Sequence, residues 1–412
     1  MTETLVADPS QIAGLSNSVK EIGHDGNQIA IYVRQHCRID SGNLGGELLE
    51  SMIEPLQAVG ESFALRMAGH AARMSATGGE LNRAAWMYHD QDRQTYDALN
   101  AASTNLDGSP VASSSDRENG GITRSYDSAV TFGKPAAIDL DPPAAGAAEL
   151  ADVIADATGI LGDANNAFKE ATRAGGGEIN ILENILKPVK ANWNELRRLG
   201  EAHKKAGNAM EACGTNLDSG VKAVGPHWDG KAALAFESWA AQQSAAMKWE
   251  GPLGRLISDV MNVAAEKIKQ LVIQVCEDIK RTVIEYVTIS SVKDLCKTIV
   301  KRIPVLGWTL EVLDLCKKLY DIFSAIMKVV DKIKELRDQI VEFMRLLANP
   351  ALVITEKVNE KLSPITSKME DAARAAALAS DAAAVAQYND TLNRPTDGYE
   401  IGSGRAPWED SV

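Results

Sequence analysis

Aromatic side chains make up only 5% of the 412 residues. That scarcity argues against sheets, whose strands recruit aromatic and β-branched side chains. Ala-rich, charge-laced stretches favour long packed helices instead, so an all-α fold is expected. Cysteine is scarce too: five residues, an odd number, make no disulfide framework, and small buried hydrophobes are the plain expectation. No run of about 18 uncharged apolar residues occurs, which leaves no candidate for a simple transmembrane segment. The opening Met1-Thr2-Glu3-Thr4-Leu5-Val6-Ala7-Asp8-Pro9 lacks the positive residues and apolar core of a Sec-type signal peptide. Export, if it occurs, is expected to use another route. Basic excess is missing as well. A formal net charge of -13 argues against nucleic acid as a partner, because binding a polyphosphate needs a basic surface that releases counterions.

Catalytic signatures are also missing: there is no His-Glu-x-x-His, no Gly-rich phosphate loop, no Gly-x-Ser-x-Gly and no Cys-x-x-Cys. The histidines (His24, His36, His70, His89, His203, His227) are scattered without ligand spacing. Carboxylate pairs such as Glu335 and Asp338 fall on charged helix faces, where solvation or a neighbouring lysine explains them. A protein without catalytic residues, cofactor or metal is expected.

What the chain does have is helical periodicity. Asp8-Pro9 reads as an N-cap followed by a first-turn proline. Leu15, Val19, Ile22, Gly26, Ile29 and Val33 then step by four and three along one seam. Ser41-Gly42-Asn43-Leu44-Gly45-Gly46 interrupts it. Leu56, Val59, Phe63, Met67, Ala71, Met74, Leu81, Ala85 and Tyr88 resume the stepping, so residues 1–100 are expected to form a helical hairpin. Residues 101–145, rich in Ser, Asp, Asn, Gly and Pro, read as a disordered linker. Residues 146–254 are expected to hold a helix from about Glu149 to Ala174 and then a second hairpin. Its first seam runs through Trp193, Leu196, His203, Ala206, Met210, Cys213, Leu217, Val221 and Val224. Its second helix is expected to break at Gly251-Pro252-Leu253-Gly254.

Residues 255–350 form an amphipathic helical region. There Val292-Lys293-Asp294-Leu295-Cys296-Lys297 and Val312-Leu313-Asp314-Leu315-Cys316-Lys317 flank a bend at Ile303-Pro304-Val305-Leu306-Gly307. Cys296 and Cys316, symmetric about the bend, are candidates for a disulfide across it, or else buried free thiols. Residues 351–412 read as an Ala-rich helix and a disordered polar tail. Taken together, tandem helical hairpins should make an elongated core like a four-helix bundle, with amphipathic helices added after it.

Between the two helices of the second hairpin lies Trp228-Asp229-Gly230-Lys231-Ala232-Ala233-Leu234-Ala235-Phe236. Gly230 allows a backbone geometry that a side chain would hinder, and Trp228 caps the bundle end. Trp249-Glu250-Gly251 shows that the bare triplet is unspecific; Ala232, Ala233 and Phe236 supply the specificity. Residues of about 185–270 resemble the WxG (ESAT-like) family of type VII (ESX) secretion substrates, in which Trp-x-Gly-x-Ala-Ala-x-x-Phe marks such a turn. The first hairpin ends in Leu81-x-x-x-Ala85-x-x-Tyr88-x-x-x-Asp92 and resembles EspC-like ESX-associated substrates. Tyr88 and Asp92, four apart, share one helix face, so a receptor can read phenol and carboxylate together.

In that family two hairpins pair as a four-helix bundle, with the Trp-x-Gly turn of one beside the Tyr-x-x-x-Asp of the other. The resemblance therefore implies a composite export signal, here within one chain, from Trp228, Gly230, Tyr88 and Asp92. It implies an actinobacterial secreted interaction or structural protein or effector, at the cell surface or released. The implied partners are the type VII secretion ATPase and another ESX helical substrate or a second copy of the chain. One alternative is a membrane-active effector, either pore-forming or binding at a membrane surface, that acts through residues 255–348, whose helices carry basic polar faces. Another is a cytosolic helical scaffold or export chaperone. The bend Ile303–Gly307 is loosely similar to one in EspA-like substrates.

Overall fold

The computed structural model describes residues 6–103, 124–144, 192–287, 310–349, 355–366, 372–387 and 394–401. Asp8 caps the first helix, its Oδ1 accepting from the Ser10 amide at 2.9 Å and the Gln11 amide at 3.4 Å. With Pro9 in the first turn, helix α1 runs Pro9–His36 and buries every residue of the expected seam. After the interruption come a short α2, Glu47–Glu50, and a long α3, Ile53–Ser103. The seam from Leu56 to Tyr88 is buried throughout. Asn192 caps α4, Trp193–Val224, and a 3-10 turn at Gly225–His227 leads through Trp228 into α5, Lys231–Val287. On α4 the expected seam is buried except for Val221, which is half-buried.

Four of these helices form an all-α bundle in which each neighbour runs antiparallel to the next. A Cβ on Gly23 would meet Ser75, and one on Gly78 would meet Ser16 and Lys20, which places α1 against α3. Gly220 faces Leu15, and Arg198 donates to the carbonyl of His36, which places α4 against α1. Arg66 reaches Glu250 and Arg73 reaches Gln243, closing the square between α3 and α5. The α4–α5 contact is the tightest. A Cβ on Gly207 would lie 2.4 Å from the carbonyl oxygen of Glu250, and one on Gly254 would lie 2.5 Å from that of His203, so only glycine permits this backbone approach. Helices α6 (Leu310–Ala348), α7 (Thr355–Thr366) and α8 (Ala372–Ala386) pack along the outside: α6 on α3 and α5, α8 on α5, and α7 chiefly on α6 and α8. Among the described residues no strand forms, and one antiparallel bridge joins Ala7 to Trp228.

Helix α5 does not break at Gly251-Pro252-Leu253-Gly254; it carries Pro252 inside it and runs on to Val287, so a boundary at 254 falls in mid-helix. Burial against α4 outweighs the helical hydrogen bond that proline forfeits. The segment 101–145 was expected to be disordered, yet Ala101–Ser103 belong to α3 and residues 124–144 lie extended over the bundle. Side chains meet that segment's backbone. Asn82 donates to the carbonyl of Arg124 (3.0 Å) and accepts from the amide of Tyr126 (3.1 Å), while Asn216 bonds both polar groups of Ala136 at 2.9 and 3.0 Å. A chain whose polar groups are met in this way needs no secondary structure of its own. The tail was likewise expected to be disordered, but Arg394–Ile401 are placed, with Tyr399 and Ile401 buried.

Cys37, Cys213 and Cys276 are buried free thiols, as expected for small hydrophobes, and burial pushes the Cys213 thiol up to about 12. Cys296, the bend at Ile303–Gly307 and the helix expected at Glu149–Ala174 lie outside the described residues, as does the side chain of Cys316.

Candidate functional site

Four segments converge on one end of the bundle: the start of α1, the Tyr88 turn of α3, the α4–α5 connection and the segment around Tyr399. Gly230 adopts φ 92°, the left-handed conformation the sequence called for, and its carbonyl accepts from Leu234 to begin α5. Trp228 is extended, and the chain ahead of α1 pairs with it. The amide of Asp8 donates to the His227 carbonyl at 2.9 Å, that of Asp229 to the Val6 carbonyl at 2.8 Å, and that of Val6 to Asp229 Oδ1 at 2.7 Å.

The indole of Trp228 is only 2% exposed and donates through Nε1 to the Tyr88 hydroxyl at 3.3 Å, across 140 residues of sequence. Phe236 lies against the indole at a centroid distance of 5.6 Å, and Trp239 lies 6.1 Å beyond it in a stacked arrangement. Ala232 and Ala233, in the first turn of α5, are buried as well. Burial raises the pKa of Tyr88, the Trp228 hydrogen bond opposes this, and the charge of Asp229 adds to it. Burial and the neighbouring Tyr88 and Glu80 raise Tyr399 in the same sense, so both phenols stay neutral.

Of the expected signal residues, Trp228, Gly230 and Tyr88 are thus brought together. Asp92 sits one turn further along α3, exposed, where its charge contributes to the raised pKa of Tyr126 after burial has done most. Val6–Asp8 and Tyr399 complete this end, and no periodicity or motif marked them for it. Only the alternation of Tyr399, Glu400 and Ile401 in an otherwise polar tail hinted at an inward face.

A second cluster lies mid-bundle. Arg66 forms a two-pronged pair with Glu250 at 2.8 and 3.1 Å, and its guanidinium lies over the rings of Phe63 and Trp249. Nδ1 of His70 accepts from Gln243 at 2.6 Å and from Arg73 at 3.2 Å, which leaves Nε2 protonated and turned to Glu250, 3.7 Å away. Burial tends to raise Glu250, but the charge of Arg66 and the facing polar groups outweigh it and hold the carboxyl below its usual range. Nothing in the spacing marked these residues. Trp249-Glu250-Gly251 does not form a turn here: Trp249 donates to the carbonyl of Val385, and a Cβ on Gly251 would collide with Glu211. Among the described residues no group of three or more His, Cys, Asp or Glu is arranged to hold a metal ion.

His203 gives the core a pH dependence. Its Nδ1–H donates to the Leu199 carbonyl at 2.9 Å, and burial lowers its pKa from 6.5 to about 4. Between those values the unfolded chain binds a proton that the folded chain does not. The stability is therefore complete above pH 6.5 and is lost as the pH falls toward 4, by about 3 kcal/mol at most. His70 shifts in the same direction. Urea midpoints at pH 7.5 and pH 5 should differ for the unsubstituted chain and differ less for His203→Leu; an equal difference in both would contradict this role.

The comparisons with known proteins add no relative: no protein-family model, no curated protein and no solved structure matches the chain.

Proposed function

We propose that the chain is a non-catalytic substrate of a type VII (ESX) secretion system that carries both parts of its export signal in one polypeptide. The reading rests on the hydrogen bond from Trp228 Nε1 to the hydroxyl of Tyr88. That contact joins the Trp-x-Gly turn of one hairpin to the Tyr-x-x-x-Asp of the other, which is the juxtaposition the resemblance implies for two paired chains. In this reading the buried Trp228–Tyr88 contact sets the shape of the bundle end, and exposed Asp92 is the charge that the secretion ATPase reads. The membrane-active alternative has less support. Ile326, Val330, Ile333, Ile340, Phe343 and Met344 bury the apolar face of α6 within the protein, and no helix among the described residues is long and apolar enough to cross a membrane.

Because Asp92 is exposed, Asp92→Ala should leave the fold intact. Export into culture filtrate should fall roughly tenfold, the effect of losing one charged hydrogen bond to a receptor. Asp92→Glu, which keeps the carboxylate, should be exported. Unchanged export of Asp92→Ala at equal cellular levels would rule out the signal assignment. Absence of the unsubstituted protein from filtrate free of lysis markers would favour the cytosolic scaffold or chaperone.

A further inference from the structure

The groove between α3 and α5 beside the Trp228 turn holds an extended piece of chain by its backbone. Trp239 Nε1 donates to the Asp397 carbonyl at 3.1 Å, and the amide of Tyr399 donates to Thr77 Oγ1 at 2.9 Å. The Tyr399 hydroxyl donates to the Ala232 carbonyl at 3.1 Å, and its ring meets Phe236 edge-on at 5.4 Å. Tyr399 and Ile401 point in, at 2% and 1% exposure, while Glu400 between them is exposed. That is the period-two pattern of an extended peptide on a surface. Gly398 is fixed by contact: a Cβ there would stand 2.9 Å from Cβ of Ala76 and 3.3 Å from the Arg73 carbonyl oxygen. The groove thus reads main-chain groups, a flush glycine and two inward side chains. Extended peptides are commonly recognised by main-chain hydrogen bonds for affinity and alternate side chains for specificity.

We propose that the α3–α5 groove is a docking site for an extended Gly-Tyr-x-Ile segment, filled here by the chain's own Gly398–Ile401. A tethered segment is present at an effective concentration of order millimolar, so even a weak intrinsic affinity keeps the groove occupied. The docked segment covers Phe236, the ring that lies against Trp228. The docking itself stands on these contacts; that it regulates access to an export signal rests on the reading above.

The test uses the full-length chain and a fluorescein-labelled peptide spanning Arg394–Ile401. Tyr399→Ala with Ile401→Ala empties the groove. The emptied protein should bind the peptide saturably by fluorescence anisotropy, and the unsubstituted protein at least ~10-fold more weakly because its own segment competes. A Tyr399→Phe peptide should bind several-fold less tightly, about the effect of one hydroxyl bond. No binding to a folded emptied protein, or equal binding to both proteins, would overturn the proposal. Should the emptied protein fail to fold, hydrogen exchange on the unsubstituted chain decides. Exchange of the Tyr399 amide ahead of the α3 and α5 cores supports a detachable segment. Exchange only with global unfolding makes the segment part of the core and refutes the proposal. Neither measurement involves export, so its failure is separable from failure of the Asp92 test.

Discussion

Glu250→Ala should destabilise the bundle by about 3–5 kcal/mol, because it strands the Arg66 guanidinium in the interior. Arg66 is 8% exposed and Glu250 fully buried, and the rings of Phe63 and Trp249 flank the guanidinium, leaving it little water in place of its partner. Replacing both members should behave differently. Arg66→Met with Glu250→Leu removes two desolvated charges at once, and such exchanges are often neutral or stabilising. A double-mutant cycle by guanidinium denaturation would therefore show a coupling that neither single variant reveals. Lys248 and Asp218, paired between α5 and α4 near the surface, offer a contrast: breaking that pair should cost no more than about 1 kcal/mol. Similar losses at the two sites would mean that the interior pair is far better hydrated than its burial indicates.

Trp228→Ala should cost a comparable amount, about 3–5 kcal/mol, which for a bundle of this size lowers the midpoint of thermal unfolding by on the order of 10 °C. The ring is buried at the bundle end, bonded to Tyr88 and lying against Phe236, so its removal leaves a cavity that fixed helices cannot fill. Trp228→Phe separates the two contributions. It keeps most of the packing while removing the donor to Tyr88, and should cost about 1 kcal/mol beyond the change in volume. A Trp228→Ala protein that melts with the unsubstituted chain would show that the end is not a structural closure.

The seams of α1, α3 and α4 were legible because three- and four-residue stepping is a local property, and each stepping residue found a partner helix. The turn was legible for a related reason: Gly230 needs positive φ, and a tryptophan beside it marks a bundle end. Pro252 misled because a local helix breaker was judged without the helix packed against it; the glycines around it serve close approach to α4, not a turn. The extended segments misled because their composition excludes a core of their own. Asn82 and Asn216 on distant helices supply what they lack, and pairings across 44 and 80 residues leave no periodic trace. Asp8 was read correctly as a cap, but not as a partner of His227, since a backbone bridge imposes no side-chain pattern.

The Ala7–Trp228 bridge also orders events during synthesis. The α1–α3 hairpin rests on nearby contacts, yet Tyr88 must wait 140 residues for its indole, and Val6 must wait 223 for Asp229. Thr77 waits 322 residues for the amide of Tyr399. At bacterial elongation rates of about 5–20 residues per second, these gaps correspond to roughly 10 s to one minute on the ribosome. The first hairpin therefore emerges with its Tyr88 face wet, and a nascent chain that has not yet reached Tyr399 cannot present the finished end.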